Sequence, residues 1–472
     1  MVKLSDICDV ASELEISGIT ADSREVDKGF LFGSITDDAY IDDAVKNGAA
    51  AIIAGEDYQG NVGNVLLIKV KNPLKTYAEA VAKYYGRQPQ HLAAITGTNG
   101  KTSIADFVRQ ILTMAGKKAA SIGTLGVIKG NGEARSLPNT TPNNVTLHKI
   151  LKELVEDGID YAILEASSHG LHQGRLDGVE FEVAGFTNLT RDHLDYHKTF
   201  ENYFAAKMIL FEKRLKVGGV AVLNADVDCF ADIERICRLR DQKVISYGYN
   251  GEEIKLLKAE PKAKGQVLYL NYFGKDVTVD IPLAGDFQAS NVMCALGIVG
   301  ALCGNKDEPL QYLPKIRGAK GRLDLVGEKN GAAVYVDYAH TPDALEQVLK
   351  ALRKHTTGKL KVLFGCGGNR DKGKRPIMGQ IADELADEVF VTDDNPRFED
   401  ADTIREEIMT ACPKGVNIKD RAKAIKIAID SLQPGDVLVL AGKGHESGQY
   451  VKGEVLPFSD HEEATKNLEN RQ

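Results

Sequence analysis

Short apolar runs recur along this chain, each bounded by Gly, Pro, Asn or Asp, and between them apolar residues repeat at helical spacing. The stretches "GFLFGSI", "AAIIAG", "NVLLIKV", "DYAILEAS", "EVAGFTNL", "GGVAVLNAD", "AAVYVDYAH", "LKVLFGCGG", "EVFVTDDNP" and "DVLVLAGKGHE" read as strands. Their alternation with helical patterns predicts α/β units around mainly parallel sheets. One stretch departs from this: "GQVLYLNYFGKDVTVDIPLAGDF" alternates at a period of two and predicts an antiparallel excursion. No internal repeat or low-complexity tract interrupts the series.

The pattern divides the chain into three expected domains. Residues 1–87 carry three of the strands and the helical "YIDDAVKNG", and end in "YYGRQPQ", a linker punctuated by Gly and Pro. A second domain, 88–319, opens at "HLAAITGTNGKTS"; the pattern restarts near "GAKGRLDLV", giving a third over 320–472. The 472 residues suit this count, at roughly 100–200 residues per domain. Nearly every polar or Gly-rich cluster follows a strand end, which is where open α/β sheets bind ligands.

Composition narrows the classes. A net charge of −8 argues against a general nucleic-acid or anionic-membrane surface, though not against a small anion in a local basic cleft. Seven cysteines, scattered singly from Cys8 to Cys412 with no CxxC, fit reduced thiols better than a disulfide frame or a zinc site. The start "MVKLSDICDV" has no apolar signal-like region, and "GAAAIIAG" is taken as the longest membrane-span candidate, far too short to cross. A cytoplasmic protein is expected.

The motifs carry the chemistry. "AAITGTNGKTS" reads as a strand, a glycine turn and a helix starting at Lys101, with Ile104, Phe107, Val108, Ile111, Leu112 and Ala115 on one face and Gly116 as its stop. Backbone N–H groups at such a turn cradle phosphates, Lys101 would neutralise β- and γ-phosphate charge, and the Thr102 hydroxyl would reach Mg²⁺. Gly97 and Gly100 are separated by two residues rather than the four of the standard phosphate loop, and a plain Gly-rich turn is the alternative. "ILEASSHGLHQGRL" puts Glu165 at a strand tip, followed by His169, His172, Gln173 and Arg175; "NLTRDHLDYH" adds Asp192, His193, Asp195 and His197. A hard cation on phosphates wants such carboxylates, but His169 reads as structural ahead of a ligand, and the Asp195–His197 group also reads as a solvated helix start. Lys207 lies inside the apolar "NYFAAKMILF". It could snorkel to water, or, buried, be held neutral and able to react with CO₂. In the last third, successive strand ends bring Asp337, His340, Arg370, Asp394, Arg397 and Glu446. Each arginine could fork a carboxylate or simply form a surface ion pair.

Taken in order, "TGTNGKTS", "NTTPN", "EASSHGL", "NLTRDHLDYH", "AAKMILF", "GDFQASN", "GRLDLV", "DYAHTPD", "GCGGNRDKGKRPIM", "DNPR" and "GKGHE" resemble the motifs of the Mur ligase family, over nearly the whole chain. They are most similar to the members that add 2,6-diaminopimelate. The resemblance implies a three-domain α/β architecture: a first domain for the UDP substrate, a central phosphate-loop-type domain for ATP, and a C-terminal dinucleotide-fold-like domain for the amino acid. It assigns Gly97, Thr98, Asn99, Gly100, Lys101, Thr102, Asn291, Arg322, Asp337 and His340 to ATP. Thr102, Glu165, His193 and Lys207 fall to Mg²⁺, the last through a CO₂-derived carbamate, and Lys101, Glu165, His193 and Lys207 to catalysis. Ser23, Arg24, Asn139, Thr140, Thr141, Ser167, Gln173 and Arg175 fall to the UDP-muramoyl dipeptide; Arg370, Asp394, Asn395, Arg397, Gly442 and Glu446 fall to meso-diaminopimelate. Three departures stand out: a short "GSITDDAYI" near Ser34, which bears on uracil contacts, Ser103 where a second threonine is common, and Asn369 where an aspartate is frequent.

The implied reaction is ATP-dependent amide synthesis through an acyl phosphate, in peptidoglycan precursor synthesis, by a monomer with no membrane span and no nucleic-acid partner. Rivals are the lysine-adding form of the same ligase, a folylpolyglutamate synthetase-like ligase, and a non-catalytic nucleotide-binding protein.

Overall fold

A computed structural model describes residues 1–130, 132, 134–262 and 264–469. They form two compact units: residues 1–246 with 297–306, and residues 247–296 with 307 onward.

The first unit holds the short antiparallel pair Val2–Lys3 with Glu15–Ile16, a four-stranded sheet and strands of a larger one. Strands Gly18–Thr20, Phe30–Gly33, Ala51–Gly55 and Leu66–Val70 lie side by side in that order, all parallel, with Ile19 opposite Leu31 and Ile53 opposite Ile68. Helix Pro73–Tyr85 packs Tyr77, Ala80 and Val81 onto their apolar face. Its ends are written in the sequence: Asn72 accepts from the Lys75 N–H, Pro73 opens the first turn, and Gly86 stops it at φ 67°. In the larger sheet His91–Thr96 lies between Tyr161–Glu165 and Phe181–Phe186, with Ala119–Gly123 and Leu215–Asn224 outside them, all parallel. The carboxyl ends of the three inner strands therefore open onto one edge, and the loops after Thr96, Glu165 and Phe186 meet there. Helix Lys101–Met114 buries Ile104, Phe107, Val108, Ile111 and Leu112 and is followed by Gly116 at φ 74°, as the spacing predicts.

The second unit contains the antiparallel excursion, Ile254–Lys262, Gly265–Tyr272 and Lys275–Ile281. Its six-stranded sheet runs Asp324–Lys329, Ala332–Asp337, Val437–Ala441, Leu360–Phe364, Glu388–Val391, Val416–Asn417. Only the first pairing is antiparallel. The buried, β-branched strands suit a sheet covered on both faces. The loops after Asp337, Val391 and Ala441 leave from the same edge. A short hairpin, Gly448–Val451 with Glu454–Pro457, pairs back onto Arg397 through Val451.

One expectation is corrected. Helix Asp286–Cys303 has the length and composition to cross a membrane, so "GAAAIIAG" is not the longest apolar stretch. Gln, Ser, Asn and Gly break up its apolar run and hid it from a search for unbroken hydrophobicity. The helix is 72% buried within the protein, the state of a core helix.

Candidate active site

In the first unit the glycine turn and its neighbours form one polar centre. Gly100 takes φ 88° and hands over to Lys101 as the first helical residue, so the turn's N–H groups sit at a helix N-terminus. Gly97 is required: at φ 145°, a Cβ would stand 1.8 Å from Thr187 Oγ1. Lys101 Nζ donates to the carbonyls of Gly97 and Thr98 at 2.9 and 2.8 Å. Asn99 N–H donates to Asn188 Oδ1 at 2.9 Å, pinning the loop from the next strand end.

Lys207 does not snorkel. It is 1% exposed, its Nζ donates to the Gly97 carbonyl at 2.7 Å, and it lies 4.3 Å from the centre of the Tyr203 ring. Burial, and next the charge of Lys101, hold its pKa well below the ordinary lysine value. Tyr203 in turn meets Thr98 Oγ1 at 3.1 Å. Two lysine amines thus share the carbonyl of Gly97, at the place where phosphate oxygens would offer both a stronger partner.

Glu165 is 2% exposed at the tip of its strand. Its Oε2 accepts from Thr102 Oγ1 at 2.9 Å and Thr124 Oγ1 at 3.2 Å, and its Oε1 from the Thr124 N–H at 2.8 Å. Thr124 also reaches Thr140 Oγ1 at 3.0 Å. Sequence reasoning missed Thr124; no motif marks it, because its role arises from the neighbouring strand Ala119–Gly123. The next residue, Thr141, donates to the Glu165 carbonyl at 2.7 Å and meets Ser167 Oγ at 3.0 Å. Arg175 donates to the Thr141 carbonyl at 2.7 Å and to Gln173 Oε1 at 2.6 Å, and Gln173 donates to Tyr196 OH at 3.1 Å. The structure therefore joins Thr102, Glu165, Thr140, Thr141, Ser167, Gln173 and Arg175 in one network.

His193 adopts φ 52° and stands edge-on to His169, with ring centres 4.7 Å apart; His169 lies against Tyr196 at 4.2 Å. His197 faces inward to Ser168 Oγ at 3.0 Å, and burial first, then His169, hold it down to about 4. Asn139 is exposed at the entrance of the 139–141 loop. Ser23 is buried, while Arg24 is exposed and folds back onto Asp22 at 2.6 Å. Among the described residues no hydrogen bond links Ser23 or Arg24 to the Asn139–Arg175 group. Ser34 donates to Asp38 at 2.6 Å and lines a cleft of about 640 Å³ with Asp37, Glu56, Asp57 and Lys71.

Mg²⁺ on a nucleotide takes oxygen donors: the Glu165 carboxylate and the Thr102 hydroxyl meet at one strand edge, and among the described residues no three His, Cys, Asp or Glu side chains gather to hold a metal by themselves. Thr102 and Glu165 fit Mg²⁺ as they stand, His193 would add a nitrogen, and Lys207 would supply oxygen only as a carbamate.

The second unit builds another centre. Asn395 Nδ2 donates to Glu446 Oε2 at 2.9 Å. Fully buried Lys443 donates to Asn395 Oδ1, Glu446 Oε2 and the Gly448 carbonyl at 3.2, 3.0 and 2.7 Å. Lys443 and the hairpin after it were not singled out in the sequence. Arg397, at φ 54°, is half-buried, and its Nη1 donates to the Gly368 carbonyl at 2.9 Å. A Cβ on Gly367 would come within 2.7 Å of that nitrogen, so glycine makes room for the guanidinium. The Arg397 backbone is gripped by Tyr450, whose carbonyl accepts its N–H at 2.9 Å. Asp394 caps the Asn395 N–H at 2.6 Å; a Cβ on Gly442, which has φ 111°, would come within 2.8 Å of Asp394 Oδ2. Arg370 is exposed.

Asp337 accepts from the Leu323 and Ala339 N–H groups at 2.6 and 2.7 Å, and burial raises its pKa. Arg322 lies over the Tyr338 ring at 4.6 Å, and His340 meets the Tyr338 carbonyl at 2.9 Å. Burial lowers the pKa of His340. Asn291 donates to Gln288 at 3.0 Å.

Comparison with known proteins gives the family of the chain. Residues 95–299 match the Mur ligase middle domain and residues 321–444 the Mur ligase glutamate ligase domain. The chain is 49% identical to UDP-N-acetylmuramoyl-L-alanyl-D-glutamate–2,6-diaminopimelate ligase of Rhizobium meliloti, over 97% of this chain and 95% of that one. It is 48% identical to the protein of the same name from Agrobacterium fabrum, over 96% and 94%. A solved structure of a ligase of that name superposes with a TM-score of 0.75 at 32% identity, over 99% of this chain and 98% of the other. The chain belongs to the Mur ligase family.

Proposed function

We propose that this chain joins meso-2,6-diaminopimelate to the D-glutamyl γ-carboxylate of UDP-N-acetylmuramoyl-L-alanyl-D-glutamate at the expense of ATP. The observation that carries this reading is the identity of 48–49%, over nearly the whole length, to ligases named for that reaction.

An oxygen of the γ-carboxylate attacks the γ-phosphorus of ATP, and ADP leaves. An amine of diaminopimelate then attacks the acyl carbon, loses a proton, and inorganic phosphate departs as the amide forms. Such phosphoryl transfer rests on positioning and charge neutralisation. The 97–102 loop supplies N–H donors and Lys101 its charge. Thr102, Glu165, His193 and a Lys207 carbamate would hold Mg²⁺, which neutralises phosphate charge. The Thr141–Ser167–Arg175 network orients the dipeptide, with Asn139, Thr140 and Gln173, while Ser23 and Arg24 serve its nucleotide. Asn291, Arg322, Asp337 and His340 we assign to ATP. Arg370, Asp394, Asn395, Arg397, Gly442 and Glu446 take the amino acid, with Arg397 facing its far carboxylate.

Lys207 suits the carbamate because only a neutral amine attacks CO₂, and its burial favours that form. The nitrogen lone pair adds to the carbon of CO₂ and the ammonium proton leaves to water. The reading is tested by following tripeptide product by mass with ATP, Mg²⁺, the dipeptide and diaminopimelate. Product is expected from wild type, and at least about a hundredfold less from Lys207→Ala, the scale of losing one electrostatic stabiliser. No product from wild type sinks the function; unchanged turnover by the variant sinks the role of Lys207.

A further inference from the structure

Lys443 lies two residues beyond strand Val437–Ala441, between Gly442 at φ 111° and Gly444 at φ 55°. Its side chain is 0% exposed. An ammonium has three N–H donors, and here each has an acceptor: Asn395 Oδ1, Glu446 Oε2 and the Gly448 carbonyl. Asn395 Oδ1 takes a second donor, the Tyr450 N–H, at 3.0 Å. The amide is thereby oriented, because turning it over would point its NH₂ at two donors. Asn395 Nδ2 then faces Glu446 Oε2 and keeps a second N–H, while Glu446 Oε1 receives no donor among the described residues. The pair so presents one donor and one acceptor in a defined arrangement.

We infer that Lys443 is a positioning residue which fixes the facing of Asn395 and Glu446 toward the amino-acid substrate, and through them the affinity for it. This rests on the proposed function for the identity of that amino acid and for its place at Asn395 and Glu446. Neither group need move to receive an ammonium at Glu446 Oε1 and a carboxylate oxygen at Asn395 Nδ2. Without Lys443 the amide can rotate and the carboxylate of Glu446 loses its cationic partner.

The test is steady-state kinetics of Lys443→Met, with each substrate varied in turn. The KM for the amino acid is expected to rise at least about tenfold, as befits a lost charge-assisted bond, while those for ATP and the dipeptide stay within about twofold. The same substitution is then placed on an Asn395→Ala/Glu446→Ala background, where it is expected to add less than about twofold, since its partners are gone. A fall in kcat alone, or an undiminished effect on that background, overturns the proposal. If Lys443→Met loses the wild-type melting transition, Lys443→Gln takes its place; if both lose it, Lys443 is a folding element and the proposal fails. Wild-type turnover is measured first, so that a preference for another amino acid would count against the proposed function and leave the cycle to be run with that substrate.

Discussion

At the residue scale, the decisive facts concern single charged groups held at one point. Arg397 is one of them. Its left-handed backbone, its bond to Gly368 and the space left by Gly367 aim a rigid fork from the end of strand Glu388–Val391. In the proposed assignment a far carboxylate, which lysine lacks, would satisfy that fork. An unpaired arginine there costs about 2–5 kcal/mol, a factor of roughly 30 to several thousand in kcat/KM. Arg397→Ala is therefore expected to lose most of its preference for diaminopimelate over L-lysine in competition assays; full retention of preference would refute the assignment. His445 gives a pH prediction. Burial, then the charge of Arg322, hold its pKa at about 4 against an ordinary 6.5. The unfolded chain binds this proton where the folded one does not, so stability is complete above 6.5 and falls as pH drops toward 4. His445→Gln should make that part of a denaturant-melt series less steep, leaving the share of His197, which is also held at about 4; an unchanged slope would contradict it.

At the scale of elements, the strand ends do the organising. Periodicity made the strands legible, and the glycine turn before an amphipathic helix made the 97–102 loop legible, because both are local patterns. The antiparallel excursion announced itself the same way. Thr124, Tyr203 and Lys443 were not legible, since each matters through a partner on another element: Glu165, Thr98 and Asn395 respectively. The residues alone left Lys207 ambiguous between a snorkelling and a buried lysine. Its helix carries apolar residues almost all round, and burial settles the matter in the structure. Gly97→Ala tests how tightly the elements meet. A Cβ there collides with Thr187 on the adjoining strand end and is strained at φ 145°. The variant is expected to keep its fold by circular dichroism and to lose at least about tenfold in nucleotide affinity by calorimetry, through a displaced loop. Wild-type affinity would show that the loop has slack.

At the scale of the whole molecule, an α/β chain of two compact units places its polar loops at the carboxyl ends of parallel strands in each unit. Among the described residues the one long apolar helix, Asp286–Cys303, is mostly buried, as a core helix is. Family membership follows from both halves of the chain, since each matches its own domain of the Mur ligases. Substrate choice, in the proposed assignment, turns on the few residues of the second unit around Arg397, Asn395 and Glu446. The most direct measurement is phosphate release by the wild-type chain with ATP, Mg²⁺ and UDP-N-acetylmuramoyl-L-alanyl-D-glutamate, supplied in parallel with meso-diaminopimelate or L-lysine. Turnover with diaminopimelate and little with lysine is the expected result; equal or greater turnover with lysine would contradict the account.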